Sequence, residues 1–394
     1  MGGTDRSFKV AFAGVFASCC LGFLAVGAVL PVLPRYVHGP LGSGDVAVGV
    51  VIGAFALAAI VTRPLAGRFA DARGRRAVVV AGTVSLAIAG ALYFVPGDVP
   101  GLVVARLFLG IGEGLVFTAG TAWVVDIAPV ERRGQVIGLF GLAIWTGLAL
   151  GPAIGEGIYS LAGYDAVWAF TALVPLAGTV VALRLPESRA VFSEPVERRS
   201  LVPRAALRPG TALALAAVGN AAISAFIVLF LDDGRGGHGA LVFILFAVAV
   251  VGSRLLGSRL PDVIGPRRSA VLAAGSETLG VSIIAVSHSW PLAAVGAMLF
   301  GAGWSMMFPS LALLVVNEAG EARRAEALGT YTAFFDLGFG LGAPLVGVIA
   351  SLAGYPAAFW ASAAFAVAGG LVTAAGSDRV RAKVRLPVAD VPPG

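Results

Sequence analysis

Adding 191 to a residue number in the first half of this 394-residue chain lands, again and again, on the same kind of residue in the second half. Thr62-Arg63-Pro64-Leu65 becomes Ser253-Arg254-Leu255-Leu256, and Asp71 and Gly74 become Asp262 and Gly265. Gly110 and Gly112 become Gly301 and Gly303, and Arg132-Arg133 become Arg323-Arg324. Ser160-Leu161-Ala162-Gly163-Tyr164 becomes Ser351-Leu352-Ala353-Gly354-Tyr355. No gap is needed across these positions. A repeat this long means two like bodies, and a pathway between duplicated bundles is an arrangement that transporters use.

The repeated material is lipid-compatible. Hydrophobic residues make up 58% of the chain and charged residues 13%, about half of what soluble domains carry; the mean hydropathy is +0.91. The pattern predicts helices over 9–34, 46–68, 77–96, 101–124, 135–160 and 164–184, then 210–231, 239–260, 269–287, 291–316, 327–352 and 355–376. Segments of about 20 apolar residues match the hydrocarbon thickness of a bilayer, and there the backbone must satisfy itself as helix. The expected fold is an all-α membrane protein with twelve crossings. Its parts are a first six-helix bundle (9–184), a polar linker (185–209), a second bundle (210–376) and a tail (377–394).

Basic residues set the orientation. Arg6, Lys9, Arg68, Arg73, Arg75, Arg76, the linker, Arg259, Arg267 and Arg268 fall on one side, with Arg35 and Arg235 on the other. By the positive-inside rule the termini and linker are expected in the cytoplasm, in a plasma or bacterial inner membrane. The net charge of +6 is thereby explained without nucleic acid, for which no basic stripe with interleaved aromatics exists. Cys19 and Cys20, the two cysteines, adjoin one another in an apolar segment and have no metal spacing. No metal or cofactor is expected, and no phosphate loop suggests direct drive by ATP.

After the second segment the chain reads Gly67-Arg68-Phe69-Ala70-Asp71-Ala72-Arg73-Gly74-Arg75-Arg76. This resembles the signature of the major facilitator superfamily between its second and third helices, G-x-x-x-D-x-x-G-R-R/K. Glycines permit a tight turn, and an acid favours a helix N-terminus. The resemblance implies that Asp71 docks on the eleventh helix in the outward-facing state. Asp126, at the end of the fourth segment, is a candidate partner for Arg75 or Arg76. The second half keeps Asp262, Gly265, Arg267 and Arg268, with Ser258 in place of Gly67.

The fourth segment, Arg106-Leu107-Phe108-Leu109-Gly110-Ile111-Gly112-Glu113, resembles the superfamily's R-x-x-x-G-x-G pattern. A buried arginine is costly and calls for a counter-ion or water. Glu113, seven residues on, shares the face of Arg106 and is expected in the same cavity. The fifth segment, Gly147-Leu148-Ala149-Leu150-Gly151-Pro152-Ala153-Ile154-Gly155-Glu156, resembles the antiporter motif G-x-x-x-G-P-x-x-G-G, with Glu156 replacing the last glycine. The resemblance implies export by exchange. A stripe of small residues for helix packing explains the same letters. Depth counting suggests an Arg106–Glu156 ion pair.

Glu113 and Asp336 sit at similar depth in opposite halves, where ionisable groups face water or substrate. A carboxyl withdrawn from water favours its neutral form. Both are candidates for proton coupling or for holding a cationic group. Asn220, Ser224, Trp145, Trp304, Met306, Met307 and Phe335 are candidates to line the cavity, although aromatics and methionines on apolar helices more often serve packing. Glu277 is expected to have a structural partner.

The whole reads as a secondary transporter of the superfamily. It would export a small molecule by proton antiport through alternating access, as a monomer, with the proton gradient as its energy source. Proton symport for uptake of a sugar, amino acid or organic acid uses the same fold. A non-transporting membrane sensor is a rival from another class. An enzyme is not expected, since no nucleophile or metal constellation is present.

Overall fold

In the computed structural model, residues 2–95, 97–129, 133–188, 203–257, 259–319 and 323–375 are described. They form α1 (Gly2–Ala28), α2 (Leu33–His38), α3 (Asp45–Arg73), α4 (Arg75–Leu92), α5 (Val99–Ile127) and α6 (Arg133–Leu183). The second half supplies α7 (Arg204–Asp232), α8 (Gly239–Gly257), α9 (Leu260–Ile264), α10 (Pro266–Val286), α11 (Trp290–Ala319) and α12 (Arg324–Ala374). No strand occurs among the described residues.

Ten stretches are long and apolar enough to cross a membrane. Two of them, Leu139–Leu183 and Glu326–Ala374, hold 45 and 49 residues, about twice what one crossing needs. Each contains a break where the chain reverses. Gly163 has φ 74° and ψ −167°, and Gly354 has φ 81° and ψ 168°. A side chain carries a steric penalty in that region of backbone space and glycine does not. α6 and α12 are therefore each two crossings, and the described residues make twelve crossings, with reversals in the repeated pentapeptides.

The halves pack alike. α1 lies on α6 as α7 lies on α12; α3 lies on α5 as α8 lies on α11; α4 contacts α5 and α6 as α10 contacts α11 and α12. Contacts between the halves run through α3 with α12, α6 with α8, and α2 with α7.

Several expected boundaries move. The first segment stops at Ala28 and resumes as α2, because Pro31 and Pro34 lack the donors that a continuous helix needs. α3 continues through Asp71 to Arg73, so the expected loop contracts to Gly74, at φ 98° and ψ 158°. Its repeat mate Gly265 turns the chain in the same way, at φ 90° and ψ 146°. α7 begins at Arg204 rather than 210. Of the expected linker, 189–202 lie outside the described residues, as do Arg132, Ser258 and the tail from 376 onward.

Candidate functional site

Three side chains meet where the halves face each other. Arg63 of α3 donates from Nε to Oδ2 of Asp336 on α12 at 2.8 Å, and from Nη2 to Oδ1 at 3.3 Å. The same Nη2 reaches Oε1 and Oε2 of Glu113 on α5 at 3.0 and 3.1 Å. The guanidinium carbon lies 4.5 Å from the centre of the Phe117 ring. Asp336 is fully buried and Glu113 nearly so. A buried carboxylate needs a paired charge or a donor, and one arginine serves two here. Arg63 and Glu113 belong to the first half and Asp336 to the second, so this ion cluster ties the halves together.

Beside the cluster lies a cavity of about 400 Å³, lined by residues from both halves. Glu113 and Arg63 reach it, as do five of the seven expected lining residues, Asn220, Ser224, Trp145, Trp304 and Phe335. Phe55 and Phe339 meet edge to face across the halves at 5.3 Å and form part of its wall. Met307 is buried in the core and, like Met306, is not among the lining residues.

The two ends of the molecule differ. At the end away from the α3–α4 turn, Arg35 of α2 donates from Nη1 to both oxygens of Glu156 at 2.8 Å and from Nε to Asp232 of α7 at 2.9 Å. Tyr355 donates to Asp45 at 3.0 Å. At Gly49 and Gly53, α3 lies so close to Ala343 and Gly340 of α12 that a Cβ would strike main chain. These contacts close that end. At the basic end, Asp71 is 63% exposed and pairs with Arg75 at 2.6 Å, one turn along. Nothing lies within 4 Å of a Cβ placed on Gly67. The cavity reaches Thr121 and Phe140 in the basic-end portions of α5 and α6.

Several expectations need correction. Arg106 and Glu156 do not pair. Arg106 is fully buried and donates to the carbonyls of Val51 and Ile52 on α3 at 3.1 and 3.2 Å, with its guanidinium 4.7 Å from the centre of the Phe55 ring. Main-chain dipoles and an aromatic face replace the counter-ion. Arg106 and Glu113 do share one face of α5, the face against α3, yet Glu113 reaches the cavity and Arg106 does not. Asp71 pairs with Arg75 in this conformation; its docking on the eleventh helix is expected of the outward-facing state, a different one. Glu277 is fully buried, and neither oxygen has a hydrogen-bond partner among the described residues.

The other candidate residues lie at the basic end and along α6. Asp126 accepts from Nε of Arg75 at 2.9 Å, making Arg75 a bridge between Asp71 and Asp126. Arg76 donates its backbone N–H to Glu187 at 2.9 Å; Glu187 also crowds Gly74. Asp262 is exposed on α9. In the antiporter-like stripe, Gly147, Gly151 and Gly155 press on the α1 backbone at Cys20, Gly27 and Ala28, around Pro152 inside α6. The stripe is thus a helix-packing surface.

Two residues central to this geometry escaped the sequence reading. Arg63 and Arg254 stood there only as letters of the repeat. The signal was present: each is an arginine within an apolar segment, and the pair keeps the 191-residue register.

A helical bundle of two like halves, holding a cavity and a buried ion cluster between them, is a membrane carrier. The sequence profile of the Major Facilitator Superfamily matches residues 15–276 and 211–389. The chain is 32% identical over 379 residues to the uncharacterized MFS-type transporter STM4428 of Salmonella typhimurium, covering 94% of this chain and 97% of that protein. It is 33% identical over 349 residues to the uncharacterized MFS-type transporter YhhS of Escherichia coli K12, covering 86% of each. Among solved structures, a bacterial homologue of the human lysosomal transporter Spinster, inward-facing and unoccupied, aligns with a TM-score of 0.76 at 13% identity, covering 93% of this chain and 96% of that one. The nucleoside transporter NupG aligns with a TM-score of 0.74 at 14% identity, covering 93% and 98%. This chain belongs to the Major Facilitator Superfamily, and it is a multi-pass membrane transporter.

Proposed function

We propose that the protein exports a small molecule by proton antiport, as a monomer in a bacterial inner membrane, with its basic face and both termini in the cytoplasm. The observation that carries this reading is the Arg63 cluster. One cation holds a carboxylate of its own half, Glu113, and a carboxylate of the other half, Asp336. A proton on Asp336 cancels the charge that ties α12 to α3, while Glu113 keeps Arg63 within the first half. Asp336 is then the switch and Glu113 the anchor. Loss of the tie frees the halves to rock apart at one end and together at the other, which is alternating access. An ion pair and a hydrogen bond bridge the halves at the end away from the basic face, while Asp71 is exposed at the basic end, which supports the inward-facing member of that cycle. The G-x-x-x-G-P stripe on α6 supports exchange by resemblance. A proton gradient supplies the energy, and no cofactor enters the scheme.

Everted membrane vesicles, acidified inside by respiration, test the direction. Solutes come from a growth screen of an overexpressing strain. Proton release evoked by a solute supports exchange. Co-movement of protons with the solute makes the protein an uptake symporter. A protein that moves no solute at all contradicts transport.

A further inference from the structure

The 191-residue register that relates Arg63 to Arg254 also relates the groups around them. Glu113 maps onto Trp304, and Asp336 maps onto Trp145. Each half therefore places an arginine at the same point of the cavity wall. In one case the two partner positions are acids, and in the other they are tryptophans. Arg254 lies over the Trp145 ring, 4.1 Å from its centre, and Nη2 donates to the Ser305 carbonyl at 2.9 Å. Its Nε is buried without a hydrogen-bond partner, as is Nη1 of Arg63; the difference between the two cations is that Arg63 has acids beside it. No carboxylate pairs with Arg254 among the described residues. Arg254, Trp145 and Trp304 all line the cavity.

A cation in a membrane-spanning bundle with one carbonyl, one aromatic face and an idle donor is undercompensated. An incoming oxyanion can take the idle Nε together with a terminal nitrogen, in the parallel two-bond geometry that guanidinium favours. The acids of the cavity offer nothing comparable to a cation. Both Glu113 oxygens are on Arg63, and Asp336 is sealed behind it; the cation that those acids require is already part of the protein. The remaining walls are mostly apolar and aromatic, with Thr121, Asn220, Ser224 and Thr332 as polar exceptions.

We propose that the transported substrate is a small organic anion with an apolar body, its oxyanion seated on Arg254 and its body against Trp145 and Trp304. This inference rests on the transporter reading above but not on its direction or its proton coupling.

The test uses the full chain in detergent and three probes sharing one ring system: 2-naphthoate, its neutral amide, and the corresponding methylammonium cation. Binding is read from quenching of tryptophan fluorescence and from ligand-induced shifts in unfolding temperature. The wild type should prefer the carboxylate to the amide by about tenfold, the value of one charge-assisted pair, and should bind the cation most weakly. Arg254→Gln should erase the carboxylate preference, and Arg254→Lys should keep part of it. Trp145→Asp gives Arg254 the carboxylate that its repeat mate has in Asp336. It should fold well and also lose the preference. A wild type that binds amide or cation as tightly as carboxylate overturns the proposal, as does an Arg254→Gln protein that keeps the preference. Proton flux in vesicles is measured separately, so intact coupling with no anion preference removes this inference alone.

Discussion

Arg63 and Arg254 occupy equivalent places in two halves that fold alike, yet one is held by two carboxylates and the other stands among tryptophans. The fold kept the position of the cation while the partners diverged. That divergence separates two tasks that a carrier must perform. A cation paired with two acids, one of them from the opposite half, can report protonation to the interface, although its Nη1 is buried without a hydrogen-bond partner. A cation with no acid beside it among the described residues can receive cargo. The basic turns show a milder version of the same contrast. Gly74 and Gly265 share their backbone geometry, but Arg75 is clamped between Asp71 and Asp126 while Asp262 stays exposed.

The comparison breaks most visibly at Arg63. Arg63→Ala strands two buried carboxylates, which should cost about 3–5 kcal/mol and abolish transport. Arg254→Ala removes an undercompensated charge and should leave stability within about 1 kcal/mol. Thermal unfolding of the two variants in one detergent checks this; equal losses would mean that the two cations are equivalent after all.

Next in size is the packing stripe. Gly151→Leu drives a side chain into Gly27 of α1, where the backbones touch, and overpacking of this kind costs about 1–3 kcal/mol. The same change at Gly141, beside which a Cβ meets nothing within 4 Å, should cost much less. Unfolding temperatures separate the two.

Asp336→Asn sharpens the division between switch and anchor with little change in size. It should keep substrate binding and lose its dependence on the proton gradient, and Glu113→Gln should lose it less completely. Counterflow against gradient-driven flux in liposomes reads the difference. Full coupling in both variants would remove the cluster from the mechanism.

The smallest effect lies at the closed end. Arg35→Gln breaks a partly exposed bridge to Glu156 and Asp232, a contribution of about 1 kcal/mol at most. That is enough to shift the balance toward opening at that end by several-fold. Labelling of a cysteine placed at Ser224, on the cavity wall, by an impermeant thiol reagent from that side should accelerate accordingly.

Much of this was legible in the residues. Apolar length gave the crossings, and the repeated Gly163 and Gly354 gave the reversals within α6 and α12. Depth counted along each helix put Glu113 and Asp336 at one level, though not on one arginine. Depth does not give azimuth, however. Which helix faces α5 at Arg106 depends on bundle packing, so its carbonyl partners on α3 and the Arg35–Glu156 bridge were invisible. Arg63 was hidden for a different reason. Its partners are 50 and 273 residues away, so local sequence context does not reveal that two acids await it.

The direct test of the central claim is distance measurement by paired spin labels at both ends of the bundle. One pair is placed at Arg68 and Val263 on the basic face, the other at His38 and Asp233 on the opposite face, all exposed positions. Alternating access governed by the cluster predicts two distance populations at each end that move in opposite senses as pH falls. It also predicts that Asp336→Asn holds both ends at one setting. A single distance at each end, unchanged by pH in the wild type, would contradict the account.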